Sequence, residues 1–267
     1  MSIFLKTEDE IELMRRANRL VGRTLAELAR HIQPGVNTLQ LDKIAGEFIR
    51  DHGAIPTFKN FPNPYGGPFP ANICTSVNNV VVHGIPSAKT VLREGDIISI
   101  DCGTLLDGFN GDSCYTFCVG EVTEEVRQLF VTTYEALYEG IKQAVAGNRI
   151  GDIGSAVQDH CESHGYGVVR ELTGHGIGRK MHEDPMVPNY GKRGNGPKLK
   201  EGMCIAIEPM VTQGNRAIYL DAKDRWTIRT RDGKPAAHFE HTIAIRQGRA
   251  DILSSFEEVE KVEGKLY

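Results

Sequence analysis

EGDIISID (residues 94–101) returns as EGMCIAIE (residues 201–208). Both stretches open on Glu-Gly, run through an apolar segment and close on an acid, so each reads as a buried strand with a carboxylate at its end. Other segments recur in the same order. A shift of 112 residues lays Gly35 on Gly147, Leu41 on Ile153, His52 on His164 and Gly53 on Gly165. With different offsets, Val82-His83-Gly84-Ile85-Pro86 echoes Gly174-His175-Gly176-Ile177-Gly178. One such match would be coincidence among common residue types. Three in order point to a duplicated helix-helix-sheet unit, with pseudo-repeats over about 7–120 and 121–248 of a single domain spanning 1–267.

Outward from these strands, the helices are set by apolar spacing and stop signals. Thr7 to Ile32 carries Ile11, Met14, Leu20, Leu25 and Leu28 near helical spacing, a Thr7/Glu10 capping box, and Pro34-Gly35 as its end. Further helices are expected at Thr38–Asp51, Glu124–Ala146 and Ile153–Ser163, and strands near Ile73–Val82, Asp96–Gly103, Phe109–Gly120 and Ala237–Ile245. The expected class is α+β, with the two halves joined into one curved antiparallel sheet and helices on its outer face. The seam between halves is the natural place for a site.

Bulk properties narrow the function. A chain of 267 residues buries enough surface to fold without a metal or disulfide staple, so a metal site would be chemistry. The net charge of -4 supplies no basic field, which argues against sequence-specific nucleic-acid binding. The N-terminus turns acidic too early for a signal peptide, and no run approaches the ~20 apolar residues of a membrane span. The six cysteines form no CxxC pair, so reduced thiols and a cytoplasmic location are expected.

The acids carry the chemistry. A carboxylate among isoleucines is costly unless a cation, a basic side chain or solvent meets it, and no Lys or Arg lies within either strand. Asp107-Gly108 is a two-residue hairpin signal. A turn there sets position 101 opposite 114 and diagonal to 112, with Asp101 and Asp112 on one face roughly 7–8 Å apart. Glu240, in the alternating segment Ala237–Ile245, reads as the second acid of the other half, beside Glu208. Any one of these acids alone is ordinarily a solvated surface residue. Four at matching places in a duplicated unit, with His175, form a ligand set rich in hard oxygen that suits two divalent cations and neutralises their charge.

VVHGIP (81–86), SIDCGTLLDGFNGD (99–112), TGHGIGRKMHEDP (173–185), IAIEPM (205–210) and HFEHTIAI (238–245) together resemble type I methionine aminopeptidases over nearly the whole chain. The resemblance implies the fold nicknamed pita bread. It makes Asp101 a ligand of one metal, His175 and Glu208 ligands of the other, and Asp112 and Glu240 bridges between them. The ions could be cobalt, manganese, iron or zinc. Such a pair, about 3.5–4 Å apart, shares a water and makes it a nucleophile near neutral pH. His83 and His182 would contact substrate, and Glu208 would also shuttle a proton. A methionine pocket would be walled by Cys74, Trp226, Tyr65 or Phe69, and Met181, where family members commonly carry Phe in place of Met181. His238 reads as a neighbour of Glu240, and His241 as pointing away. The expected activity is removal of N-terminal methionine from peptides and nascent proteins, with a small second residue preferred. The expected state is a monomer. The basic loop Gly191-Lys192-Arg193 with Lys198 and Lys200 is a candidate ribosome contact.

Three rivals share the fold. Proline-specific peptidases such as prolidase usually add an N-terminal domain, whereas the first helix here begins near Thr7. A non-enzymatic binding module would not need all five ligands. The type II enzymes insert a helical subdomain, and the 25 residues between His182 and Glu208 leave no room for one.

Overall fold

The computed structural model describes residues 2–64 and 66–264. In chain order the elements begin with α1 (Glu8–Ala29), α2 (Thr38–Asp51), β1 (Ile55–Pro56), β2 (Ile73–Val77), β3 (Val80–Val82), β4 (Ile97–Leu106) and β5 (Phe109–Cys118). Then come α3 (Glu124–Gln143), α4 (Ile150–Ser163), β6 (Gly167–Val168), β7 (Thr173–Gly176), β8 (Glu183–Pro188), β9 (Cys204–Ile207) and β10 (Met210–Thr212). The last are β11 (Ile218–Leu220), β12 (Ile228–Thr230), β13 (Ala236–His238), β14 (His241–Ala244), β15 (Asp251–Ile252) and α5 (Glu257–Glu263). The class is α+β, and every pairing between these strands is antiparallel.

Local chemistry sets the helix ends. Thr7 caps α1 through the reciprocal Thr7/Glu10 box. The helix stops at Ala29, short of the expected Ile32. α3 stops at Gln143 because the next residues leave it to bridge elsewhere, with the Ala146 N–H donating to the Arg246 carbonyl. α4 starts earlier than expected, at Ile150, where Asp152 accepts the Arg149 N–H.

The expected strand Ile73–Val82 is two strands. Asn78 turns the chain between β2 and β3 in the left-handed region (φ 53°), and its side chain accepts from Ile97 N–H and donates to Asp96. Asp107 and Gly108, both at positive φ, make the tight β4–β5 turn, and Asp101 pairs with Cys114 as the hairpin spacing predicts.

The curved surface is built from four hydrogen-bonded sheets among the described residues, rather than one unbroken ladder. β9–β14 and β10–β13 share one register across a gap, since Ile207 pairs with His241 and Met210 with His238. The gap holds Glu208-Pro209 on one side and Phe239-Glu240 on the other, which places Glu208 opposite Glu240. Proline has no N–H for the ladder, and both acids sit where the pairing lapses.

Helix α1 lies against β4 and β5. A Cβ on Gly111 would run into the α1 backbone at Ala17, and Thr104 donates to the Ala17 carbonyl (3.1 Å). Asp112 follows Gly111, so strand alternation turns its side chain to the face away from the helix. The second half docks on β5: Glu240 N–H donates to the Cys114 carbonyl (3.0 Å) and Ser113 Oγ to the Glu240 carbonyl (2.6 Å). Thr242 Oγ1 donates to the Asp112 carbonyl (2.8 Å). Tyr115, Phe117, Phe130, Phe239 and Phe256 fill the core beneath, largely edge-to-face.

Near the N-terminus Lys6 pairs with Glu183 at 2.7 Å, their side chains only 6% and 7% exposed. Removing one partner of a buried ion pair strands the other charge, at a cost of about 3–5 kcal/mol. Lys6→Met is therefore expected to lower unfolding free energy by about 3 kcal/mol in denaturant titration. A change below about 1 kcal/mol, the range of an exposed pair, would show that the pair does not stabilise the fold.

Candidate metal centre

Five side chains converge where the halves meet. Asp101 projects from β4, Asp112 from β5 and His175 from β7, while Glu208 and Glu240 project from the gap in the second-half ladder. One ligand atom each from Asp112, His175 and Glu240 lie within 4.8 Å of one another. His175 Nε2 is 3.6 Å from Asp112 Oδ2 and 3.6 Å from Glu208 Oε1.

The glycines beside His175 explain its placement. A Cβ on Gly174 would strike the Ala206 carbonyl of β9, and one on Gly176 the Asp184 carbonyl of β8. Only without side chains there can β7 lie this close between its neighbours. The ring is then oriented by its own backbone: Nδ1–H donates to the Gly176 carbonyl (2.8 Å), which leaves the Nε2 lone pair aimed at the carboxylates. A lone pair facing carboxylates is repulsive unless a cation or a shared proton lies between them, and the hydrogen bond on the far nitrogen is the orientation that metal-binding histidines show.

The acids tell the same story. Asp101 Oδ1, Asp112 Oδ1 and Glu240 Oε1 are buried and accept no hydrogen bond, an expensive state for an anion without a counter-charge. Burial pushes the Asp112 carboxyl up to about 8. Asp101 is held well above the carboxylate range by burial and by the charge of Asp112. Burial together with the other acids does the same to Glu208 and Glu240. No lysine or arginine pairs with these four among the described residues. The donor set is hard oxygen plus one imidazole nitrogen, which fits divalent cations.

Three more histidines surround the cluster. His83 occupies the left-handed region (φ 57°), a conformation that costs a non-glycine residue about 1 kcal/mol or more and concentrates at functional sites. Its ring meets Trp226 edge-on at 6.0 Å. His182 meets His175 edge-on at 4.3 Å and Phe61 at 5.1 Å. Burial draws both His83 and His182 down to about 4, helped by repulsion from the neighbouring histidine in each case, so both rings are neutral at pH 7. His238 lies fully buried, with Nε2 unpartnered and 3.8 Å from Glu208 Oε2. His241 points away, its Nδ1 2.7 Å from Ser254 Oγ and its Nε2 3.1 Å from the Tyr138 hydroxyl.

Two cavities share this floor. The smaller, about 110 Å³, is walled by Phe69, Cys74, Met181 and Trp226, and by Phe58 and Phe61. The larger, about 630 Å³, opens outward past His83, His182 and His238. Tyr65, expected at the pocket wall, lies outside the described residues. Phe58 and Phe61 were not legible, because they sit in an irregular Pro/Gly-rich loop with no periodicity to read.

Asn18 also escaped the sequence reading. It sits on the apolar stripe of α1, fully buried, donates to the Met14 carbonyl (2.9 Å) and accepts the Asp112 N–H (3.1 Å). An asparagine in line with Ile11, Met14 and Leu25 was the available signal. Between Asn18 and Thr242 the Asp112 backbone is held from both sides.

Known proteins resemble this chain in sequence and fold. Residues 12–247 match metallopeptidase family M24. A methionine aminopeptidase of Clostridium acetobutylicum is 51% identical over 94% of this chain and 98% of its own length. The crystal structure of methionine aminopeptidase from Rickettsia prowazekii superposes with a TM-score of 0.91 at 42% identity, covering 95% of this chain and all of that one. An Xaa-Pro dipeptidase from Bacillus anthracis shares the fold alone, with a TM-score of 0.74, 21% identity and 62% of its length covered. The pita-bread fold and the use of divalent metal come with that kinship: the chain belongs to metallopeptidase family M24, among its methionine aminopeptidases.

Proposed function

We propose that the chain is a methionyl aminopeptidase that hydrolyses the first peptide bond of peptides and nascent proteins beginning with methionine and a small second residue. The observation that carries this reading is the junction of the two cavities. A small chamber of about 110 Å³, with aromatic and sulfur-bearing side chains on one wall, meets a wider cleft of about 630 Å³ at one acidic cluster. The chamber has room for one side chain, not for an extended peptide, so only a terminal residue can enter. Its aromatic and sulfur-bearing walls suit the flexible thioether of methionine.

Two divalent cations, of manganese, iron, cobalt or zinc, would be held by Asp101, Asp112, His175, Glu208 and Glu240. When bound, they supply Lewis acidity toward water and the scissile carbonyl. His182, neutral through burial, donates a hydrogen bond to that carbonyl oxygen as charge develops on it. His83 holds the scissile amide and the leaving nitrogen. Glu208 carries the proton lost by the attacking water to the leaving amine. Phe58, Phe61, Phe69, Cys74, Met181 and Trp226 position the methionine side chain.

The enzyme acts as a cytoplasmic monomer. Six free thiols accord with a reducing compartment. The exposed basic segment Lys192-Arg193 with Lys198 and Lys200 is the surface offered to the ribosome.

Release of methionine from Met-Ala-Ser, with none from Xaa-Pro peptides, is the expected result for metal-loaded protein. The reverse preference would establish the proline-specific alternative, and release from neither would leave a binding module. His182→Ala is expected to lower kcat about 100-fold with KM changed less than about threefold, the pattern for losing a donor that acts mainly in the transition state. A purely KM effect would move His182 from catalysis to substrate binding.

A further inference from the structure

The cleft outside the metal centre has an apolar edge that chemistry at the first residue does not use. Phe4 and Met186 are 62% and 65% exposed, and both line the larger cavity that reaches His83, His175, His182 and Glu208. A single exposed apolar side chain is ordinary on a protein surface. Two at the mouth of one catalytic cleft, each held in place by the fold, call for a reason.

Met186 is positioned by register. It stands opposite His175 in the β7–β8 ladder, and directly paired residues project from the same face. Its neighbours Pro185 and Val187 are buried on the other face. The side chain therefore stands on the cleft face beside the imidazole, at a place set by strand alternation.

Phe4 is positioned by a staple. Lys6 Nζ donates to the Phe4 carbonyl (3.3 Å) and to Glu183 Oε2 (2.7 Å), while the Lys6 N–H donates to the Gly202 carbonyl (2.8 Å). Glu183 directly follows His182, so the segment bearing Phe4 is tied to the turn that carries that histidine.

We propose that Phe4 and Met186 form a binding subsite for the substrate chain beyond its second residue, favouring peptides with apolar side chains at the third and fourth positions. The inference rests on the aminopeptidase reading. With the first side chain in the smaller chamber and the scissile bond at the junction, the rest of the peptide leaves through the larger cavity, past these two side chains. Partial burial of an apolar side chain against them corresponds to about a fivefold gain in kcat/KM.

The test compares kcat/KM for Met-Ala-Leu-Leu, Met-Ala-Ser-Ser and the dipeptide Met-Ala on the metal-loaded full-length protein. Expected is a preference of about fivefold for Leu-Leu over Ser-Ser, residing mainly in KM. It should be lost in the double variant Phe4→Ser, Met186→Ser and kept in Phe4→Leu, Met186→Leu. Each value is taken relative to Met-Ala for the same protein, so a general loss of activity cancels. No preference in the unaltered protein, or one that survives in the double serine variant, overturns the subsite while methionine release stands. Failure to release methionine from any of the three peptides overturns the aminopeptidase reading, and the subsite with it.

Discussion

Replacing Asp112 by Asn is expected to abolish methionine release while making the metal-free protein less sensitive to alkaline pH. Removing a group that merely supports a ligand costs about 10–100-fold in metal affinity or activity. A carboxylate assigned to both ions should cost at least about 1,000-fold in kcat/KM, or about 4 kcal/mol of transition-state stabilisation.

The stability half of this prediction follows from burial. Asp112 has a folded pKa of about 8, above its unfolded value, so the native state holds its proton more tightly. Its stability contribution is complete below the unfolded pKa of about 4 and declines as pH rises toward 8. The neutral buried histidines act in the opposite sense. His83, His175 and His182, lowered to about 4, lose their contribution as pH falls below the unfolded value of about 6.5. Between pH 6.5 and 8 the carboxyls therefore dominate the trend. Calorimetry of chelated protein across that window should show Tm falling with pH, and falling less in Asp112→Asn. Parallel curves for the two proteins, or a variant that keeps more than a tenth of the activity, would contradict the assigned role.

Stripping the metal from the unaltered protein is expected to remove activity by a comparable factor and to lower Tm by about 10–20 °C. Each ion at 100 times its dissociation constant stabilises the native state by about 2.7 kcal/mol. Two ions give roughly 5 kcal/mol, and for a chain of this size 1 kcal/mol moves Tm by about 2–4 °C. The loss should be larger at pH 8 than at pH 6.5, because the acids that the ions neutralise repel one another most when all are ionised. Metal analysis alongside calorimetry checks it. Full activity in chelated protein would sink the metal chemistry, whereas full activity at one bound equivalent would sink only the two-ion assignment.

Much of this was legible in the residue order, where local rules act alone. The Thr7/Glu10 box, the span of α2 and the Asp107-Gly108 hairpin depend on neighbours a few positions away, and each formed as read. The hairpin carried furthest, since register follows from turn length, and register put Asp101 opposite Cys114 with Asp112 on the diagonal. Reading failed where a segment's partner lay far along the chain. Ala237–Ile245 looked like one strand, yet it opens at Phe239-Glu240 because Glu240 takes its hydrogen bonds from β5, more than a hundred residues earlier.

Sequence alone determined which residues could bind a cation: acids closing apolar strands, and a histidine set between glycines. Side-chain alternation, turn type and the cost of burying an unpaired charge are properties of short segments, so they need no fold to be read. Only the tertiary structure decided that these groups meet. It set Asn18 and Thr242 on either side of Asp112, brought Glu208 opposite Glu240, closed Phe58 and Phe61 around a chamber, and stood Phe4 and Met186 at the cleft mouth. Those contacts join segments far apart in the chain, and no local preference encodes which distant surface a side chain will meet once the core has packed.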